Sequence, residues 1–137
     1  MSLVLDSSVT LAWCFEDERT DATDALLERV VKSGAEAPAL WPLEVLNALA
    51  MAERRGRIQP DQRLRLTGLI HDLPVSIDVE TASLAWAATS RLATRHRLTI
   101  YGATYLELAQ RLGLPLATLD MDLRAAADAL GVAVLGH

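Results

Sequence analysis

Four acidic side chains stand where carboxylates could act together. Asp6 follows the apolar run Leu3-Val4-Leu5, and Asp120 and Asp122 follow Leu116 to Leu119. Glu44 lies near the start of a largely apolar segment, flanked by Leu43, Val45 and Leu46. Asn47 is three residues on, so a helix there puts both polar groups on one face. The ordinary work of an Asp at a strand-to-helix turn is to cap the helix, accepting its first N–H bonds. An acid in a first helical turn, as Glu44 would be, also suits the helix dipole, by about 0.3–1 kcal/mol. Asp120 and Asp122 repel each other unless a cation or a donor stands between them. As a set, the acids suit a hard cation. Mg²⁺ takes one or two carboxylates together with waters and phosphate oxygens, and such an ion activates a bound water and stabilises charge on a phosphate.

The elements that must position these acids are legible as an alternation. Apolar runs predict strands over Leu3 to Leu5, Ala35 to Ala39, Val75 to Ile77, Leu116 to Leu119 and Val132 to Leu135. Between them, helical spacing predicts helices over Ser8 to Phe15 and Thr20 to Lys32, the second closed by Gly34. Pro42 and Pro60 each open a further helix, where a missing N–H costs little. A long helix is expected from Val79 to about Arg95, then Ala103 to Leu112 closed by Gly113, then Asp122 to Leu130. Strands alternating with helices predict an α/β fold: a central, mostly parallel sheet of four to five short strands with helices on both faces. Ligands of such sheets sit at the carboxyl ends of the strands. That rule marks Asp6 and Asp120.

A chain of 137 residues with an apolar fraction of 51% fits one domain, residues 1–137, with a sizeable core. No apolar run reaches the roughly eighteen residues of a membrane span, and the N-terminus lacks the basic and apolar regions of a signal peptide. Cys14 is alone, so no intrachain disulfide forms, and a cytoplasmic setting fits. A net charge of −5 argues against gripping nucleic acid by bulk charge, so any grip must come from local arginines.

The motifs resemble those of a PIN domain of the VapC toxin type. Val4-Leu5-Asp6-Ser7-Ser8 resembles its opening, and Trp41 to Leu49, carrying Glu44, its second motif. Leu98 to Ala109 resembles the third and Leu116 to Leu123 the fourth. Four motifs in order cover nearly the whole chain. The resemblance implies a ribonuclease dependent on Mg²⁺ or Mn²⁺, a VapB-like antitoxin as partner, and a homodimer. By position it implies Asp6, Glu44 and Asp120 as catalytic, metal-binding acids and Asp122 as an auxiliary acid. Ser8 and Thr118 are implied as polar groups near the metal or phosphate, with Asn47 beside Glu44. One position departs: Gly102 stands where the pattern has Asp, a direct or near-direct metal ligand. Glycine cannot coordinate but is tolerated at a helix N-cap, so the fold is expected to survive with impaired metal binding and cleavage. Glu107, more than a turn further on, is not expected to substitute.

Arg54, Arg55 and Arg57 are read as helix C-terminal cations ahead of RNA contacts. Arg91, Arg95 and Arg97, around His96, suit phosphate contact or simple solvation equally. Trp13, Trp41 and Trp86 read as core or interface anchors, and Cys14 as an inert buried thiol. Three readings follow: a VapC-like toxin nuclease, a PIN-fold binding module that holds antitoxin or RNA without cleavage, and a metal-dependent DNA nuclease or phosphatase. Retained antitoxin affinity without turnover separates the second, and matched RNA and DNA substrates separate the third.

Overall fold

The computed structural model describes residues 2–137. Five short strands form one sheet in the order β3-β2-β1-β4-β5, all pairs parallel. They are β1 Val4–Leu5, β2 Ala35–Ala37, β3 Val75–Ile77, β4 Leu116–Ala117 and β5 Val134–Leu135. The expected strands at Ala35 to Ala39, Leu116 to Leu119 and Val132 to Leu135 are therefore shortened. Thr118 and Leu119 leave β4 for the turn ahead of the last helix: the Thr118 N–H still reaches the Leu135 carbonyl, but the Thr118 hydroxyl bonds to Asp6 and the Leu119 N–H to Ser8.

The helices are α1 Ser7–Cys14, α2 Asp21–Ser33, α3 Trp41–Arg54, α4 Pro60–His71, α5 Thr81–Leu84, α6 Ser90–His96, α7 Ile100–Leu112 and α8 Met121–Ala129. α2 begins with a reciprocal cap, Thr20 and Thr23 each bonding the other's backbone N–H. Pro42 and Pro60 fall in the first turns of α3 and α4, as their missing N–H groups require. The long helix expected over Val79 to Arg95 is divided by a π-helical turn, Ala85–Thr89, between α5 and α6. The wide turn buries Thr89 and Ala93 while Trp86 stays 90% exposed, so Trp86 is not a core residue. Trp13 and Trp41 do anchor the interior, through hydrogen bonds of 2.7 Å to the Thr23 carbonyl and 3.0 Å to Thr10 Oγ1.

The chain runs from β1 outward to β2 and β3, then returns across the sheet to β4 on the other side of β1. The right-handed crossover rule for parallel strands predicts the helices of these two halves on opposite faces. In agreement, α1 packs on α2 and α3, and α3 on α4, whereas α7 packs on α6 and α8. The core lies between the layers, with Leu3, Val4, Leu5, Val45, Leu106 and Leu116 fully buried. The point where the strand order reverses falls between β1 and β4, and a crevice at the carboxyl ends of such a pair is where open α/β sheets bind ligands.

Candidate functional site

Asp6 ends β1 and is buried. It occupies the N-cap position of α1, but its carboxylate makes no capping bond there. Oδ2 instead accepts from Ser8 Oγ at 2.6 Å and Thr118 Oγ1 at 2.8 Å. Each hydroxyl passes the connection on: Ser8 Oγ accepts from the Leu119 N–H and Thr118 Oγ1 from the Asp120 N–H, both at 3.0 Å. Four polar groups thus stitch the end of β1 to the turn after β4. The ordinary capping role of an Asp at such a turn is thus not taken up by the Asp6 side chain, whose hydrogen bonds go to the hydroxyls of Ser8 and Thr118.

Asp120 does cap. Its Oδ1 accepts from the Leu123 N–H at 3.0 Å at the start of α8. Asp122 is exposed in the first turn of the same helix. Burial is the main force raising the Asp6 carboxyl above its ordinary proton affinity, and the nearby Asp120 charge adds to it against the pull of the Ser8 and Thr118 hydroxyls. No cationic side chain pairs with Asp6, Glu44 or Asp120 among the described residues.

Glu44 comes from the other half of the sequence, in the first turn of α3. Oε1 accepts a 2.5 Å hydrogen bond from the Tyr105 hydroxyl of α7, and the Ser7 hydroxyl adds a weaker polar influence on Glu44. Burial raises the Glu44 carboxyl, the Asp6 charge raises it further, and the Tyr105 and Ser7 hydroxyls oppose both. The Asp120 charge thus acts on Asp6 and the Asp6 charge on Glu44, linking the three acids electrostatically in sequence. Burial, the charge of Asp6 and the bond to Glu44 keep Tyr105 protonated far above ordinary pH. Tyr105 and Ser7 are the polar groups that sequence reasoning missed. Tyr105 lies three residues after Gly102, and that helical spacing is the signal that could have found it. Asn47 is exposed one turn after Glu44.

Gly102 is not the N-cap of α7. Thr99 is, and Gly102 is the third helical residue, its N–H donating to Thr99 Oγ1 at 3.0 Å. The expected helix start at Ala103 moves back to Ile100 because the Thr99 side chain captures this N–H. A Cβ at position 102 would meet only Thr99 Oγ1, at 3.4 Å, an ordinary contact. The position shares a helix face with Tyr105, and so faces the layer that holds Glu44.

Glu107 is committed elsewhere. Its two carboxylate oxygens accept from Arg111 at 2.9 and 3.0 Å. Arg111 also binds Asp78 at 2.6 Å and Glu80 at 3.1 Å, tying α7 to the turn after β3. Burial alone would raise the Asp78 carboxyl, but bonds from Arg111, Thr81 and the Glu80 N–H outweigh it and hold it low. Arg57 is similarly occupied: it bridges Asp17 and Glu18 and lies 3.8 Å from the centre of the Phe15 ring. It is thus withdrawn from the arginine group at the end of α3. Burial and the charge of Glu18 push the Cys14 thiol up to about 11, which leaves it inert at neutral pH. No helix among the described residues is long and apolar enough to cross a membrane.

Comparison with known proteins matches this arrangement to one family. The PIN domain pattern covers residues 3–129. The chain is 30% identical over 125 residues to Ribonuclease VapC3 of Pyrobaculum aerophilum, spanning 90% of this chain and 92% of the relative. Its fold is similar to the crystal structure of PAE2754 from Pyrobaculum aerophilum, with a TM-score of 0.70, 24% identity, and coverage of 98% and 83% of the two chains. It is also similar to FitAcB from Neisseria gonorrhoeae, with a TM-score of 0.67, 18% identity, and coverage of 98% and 96%. A third similar structure is VapBC2 from Rickettsia felis bound to a DNA fragment from their promoter, with a TM-score of 0.66, 11% identity, and coverage of 98% and 97%. The PIN domain pattern spans most of the chain, and the fold agrees with these similar structures; the chain belongs to the PIN domain family.

Proposed function

We propose that this protein is a metal-dependent endoribonuclease of the VapC type, restrained by a VapB-like antitoxin. The observation that carries the reading is the buried Asp6 carboxylate at the end of β1, bonded to Thr118 of the turn after β4 and raised by the Asp120 charge, with Glu44 raised in turn by Asp6. The likeness to Ribonuclease VapC3 supports RNA as substrate. The likeness of the fold to VapBC2 supports an antitoxin partner. The family resemblance extends the reading to a homodimer acting in the cytoplasm.

The donor set fits a lightly held ion. Among the described residues, no group of three or more His, Cys, Asp or Glu side chains is gathered tightly enough to hold a metal alone. Mg²⁺ and Mn²⁺ suit such a site, because Mg²⁺ needs only one or two carboxylates and keeps several waters. Buried Asp6 and neighbouring Asp120, whose negative charges no cationic side chain offsets, would hold the ion, with Glu44 as a third acid. When bound, the ion supplies an activated water and a Lewis acid for the phosphodiester. Ser8 and Thr118 fix the orientation of Asp6, and Tyr105 that of Glu44. This preorganisation spares the site from reorganising as charge develops.

Gly102 favours a second reading. Without an acid at that position, metal affinity and cleavage fall below those of a form carrying Asp there, and the limit is a binding module that holds its partner without chemistry. Cleavage of a labelled single-stranded RNA in Mn²⁺, with EDTA and Asp6→Asn as controls, tests the first reading. Antitoxin binding without any cleavage would favour the second.

A further inference from the structure

Arg91 and Arg95 line a cleft of about 720 Å³ between α6, the second half of α7 and Leu130. Their i, i+4 spacing puts them on one face of α6, with Cα atoms about 6 Å apart along the axis. Arg97 follows at the turn into α7. It is the only non-glycine residue among those described with a positive φ, at 55°. A glycine would adopt that backbone without steric cost, whereas an L side chain is disfavoured there by about 1 kcal/mol or more. The fold thus holds a guanidinium where the backbone would prefer no side chain. All three arginines are exposed, and none makes an ion pair among the described residues. Arg19, Arg57, Arg63 and Arg111 are each paired with carboxylates.

The row has a direction. The short turn Arg97–Thr99 joins α6 to α7, so the Arg97 end meets the first turn of α7. There Tyr101 is 65% exposed, next to Gly102, and Tyr105 reaches Glu44 one turn later. An unpaired cationic row ending at an exposed aromatic ring beside an acidic crevice has the makings of a single-strand groove, in which cations track phosphates and rings stack bases. On a chain of net charge −5, this local excess is what an anionic strand can find.

We propose that Arg91, Arg95 and Arg97, with Tyr101 at their end, form a track that binds single-stranded RNA and leads it to the acidic crevice. The proposal rests on the nuclease reading of that crevice for its direction, but not for its test. The experiment is fluorescence anisotropy of a labelled oligouridylate of about 12 nucleotides, in EDTA so that no turnover occurs. The wild-type chain is compared with Arg91→Ala/Arg95→Ala, Arg97→Ala and Tyr101→Ala, with Arg65→Ala, an exposed arginine of α4, as control. Circular dichroism verifies folding.

The expected result is roughly tenfold weaker binding by the double variant, with a salt dependence shallower by about 0.7 per lost phosphate contact. Arg97→Ala and Tyr101→Ala each weaken binding less, and Arg65→Ala leaves it unchanged. Equal binding by the double variant, or no binding by wild type, overturns the track. Displacement of the RNA by a polyglutamate peptide at lower concentration also overturns it, assigning the row to an acidic protein segment. Arginine-dependent binding without cleavage in Mn²⁺ by either wild type or Gly102→Asp upholds the track while removing the nuclease reading.

Discussion

The Tyr105 hydroxyl donates a 2.5 Å hydrogen bond to Oε1 of Glu44, joining α7 to α3 across 61 positions of sequence. This bond lowers the proton affinity of a carboxyl that burial and Asp6 both raise. Tyr105→Phe removes the donor and keeps the ring. Glu44 then titrates at higher pH, observable by carboxyl carbon NMR, and stability falls by about 1 kcal/mol, typical of one lost hydrogen bond. An unchanged or lower titration of Glu44 contradicts this role.

The raised carboxyls set a pH dependence in the metal-free protein. An acid whose proton affinity is raised by folding keeps its proton in the folded chain after the unfolded chain has lost it. Its contribution to stability is complete below the ordinary value, 3.8 for Asp6, and is lost as the pH climbs through the raised folded value. Asp78 works in the opposite sense, because it is held low and loses stability on acidification. The difference between wild type and Asp6→Asn isolates the first effect. In EDTA, Asp6→Asn raises the melting midpoint at neutral pH, and the advantage fades toward pH 3.8. A lower midpoint for the variant at neutral pH contradicts the reading of Asp6 as a buried charge awaiting a cation.

Position 102 accepts an acid at little structural cost. A Cβ there makes one ordinary contact, and a carboxylate in the first turn of α7 gains up to about 1 kcal/mol from the helix dipole. Crowding the other acids opposes that gain. Gly102→Asp therefore changes metal-free stability by no more than about 1 kcal/mol. Its Mn²⁺ affinity, read by calorimetry, rises about tenfold, an order-of-magnitude expectation for one added hard oxygen ligand. No gain in affinity means that position 102 does not face the ion.

Arg111 holds α7 in place by gathering Asp78, Glu80 and Glu107. Its side chain is 24% exposed, and those of Asp78 and Glu107 are each 10% exposed. Arg111→Ala strands two shielded carboxylates and lowers unfolding free energy by about 2 kcal/mol, below the full cost of a buried pair because solvent still reaches the arginine. Urea denaturation measures it. Arg19→Ala, which breaks an exposed pair, leaves the midpoint where it was. Equal effects of the two variants would show that the Arg111 network does no more than a surface pair.

The alternation of apolar runs with helical spacing made the layers and the parallel sheet readable, and the carboxyl-end rule pointed to Asp6 and Asp120 before their meeting was visible. The shared switch point itself was not readable, because strand order depends on which edge β4 joins. The role of Thr118 depends on that same neighbourhood: its hydroxyl finds Asp6 only once β1 and β4 are side by side, whereas Ser8 reaches Asp6 locally and needs β4 only to accept from the Leu119 N–H. Tyr105 escaped notice because nothing local marks a tyrosine in an apolar helix as polar in function, and its partner lies on the opposite layer. The π turn at Ala85–Thr89 is a tertiary accommodation invisible to a regular helical period. Thr99 took the cap expected of Gly102 because a hydroxyl three residues before a free N–H captures it.

The central claim is that the acids at the ends of β1 and β4 cut RNA with a divalent ion. The most direct test is cleavage of single-stranded RNA in Mn²⁺ by the wild-type chain and by Gly102→Asp in parallel, free of antitoxin, with EDTA as the metal-free control. The account predicts EDTA-sensitive cleavage by the Asp form, faster than wild type by about tenfold or more, in line with a gained metal ligand. No cleavage by the Asp form on any RNA, or cleavage that persists in EDTA, would contradict it.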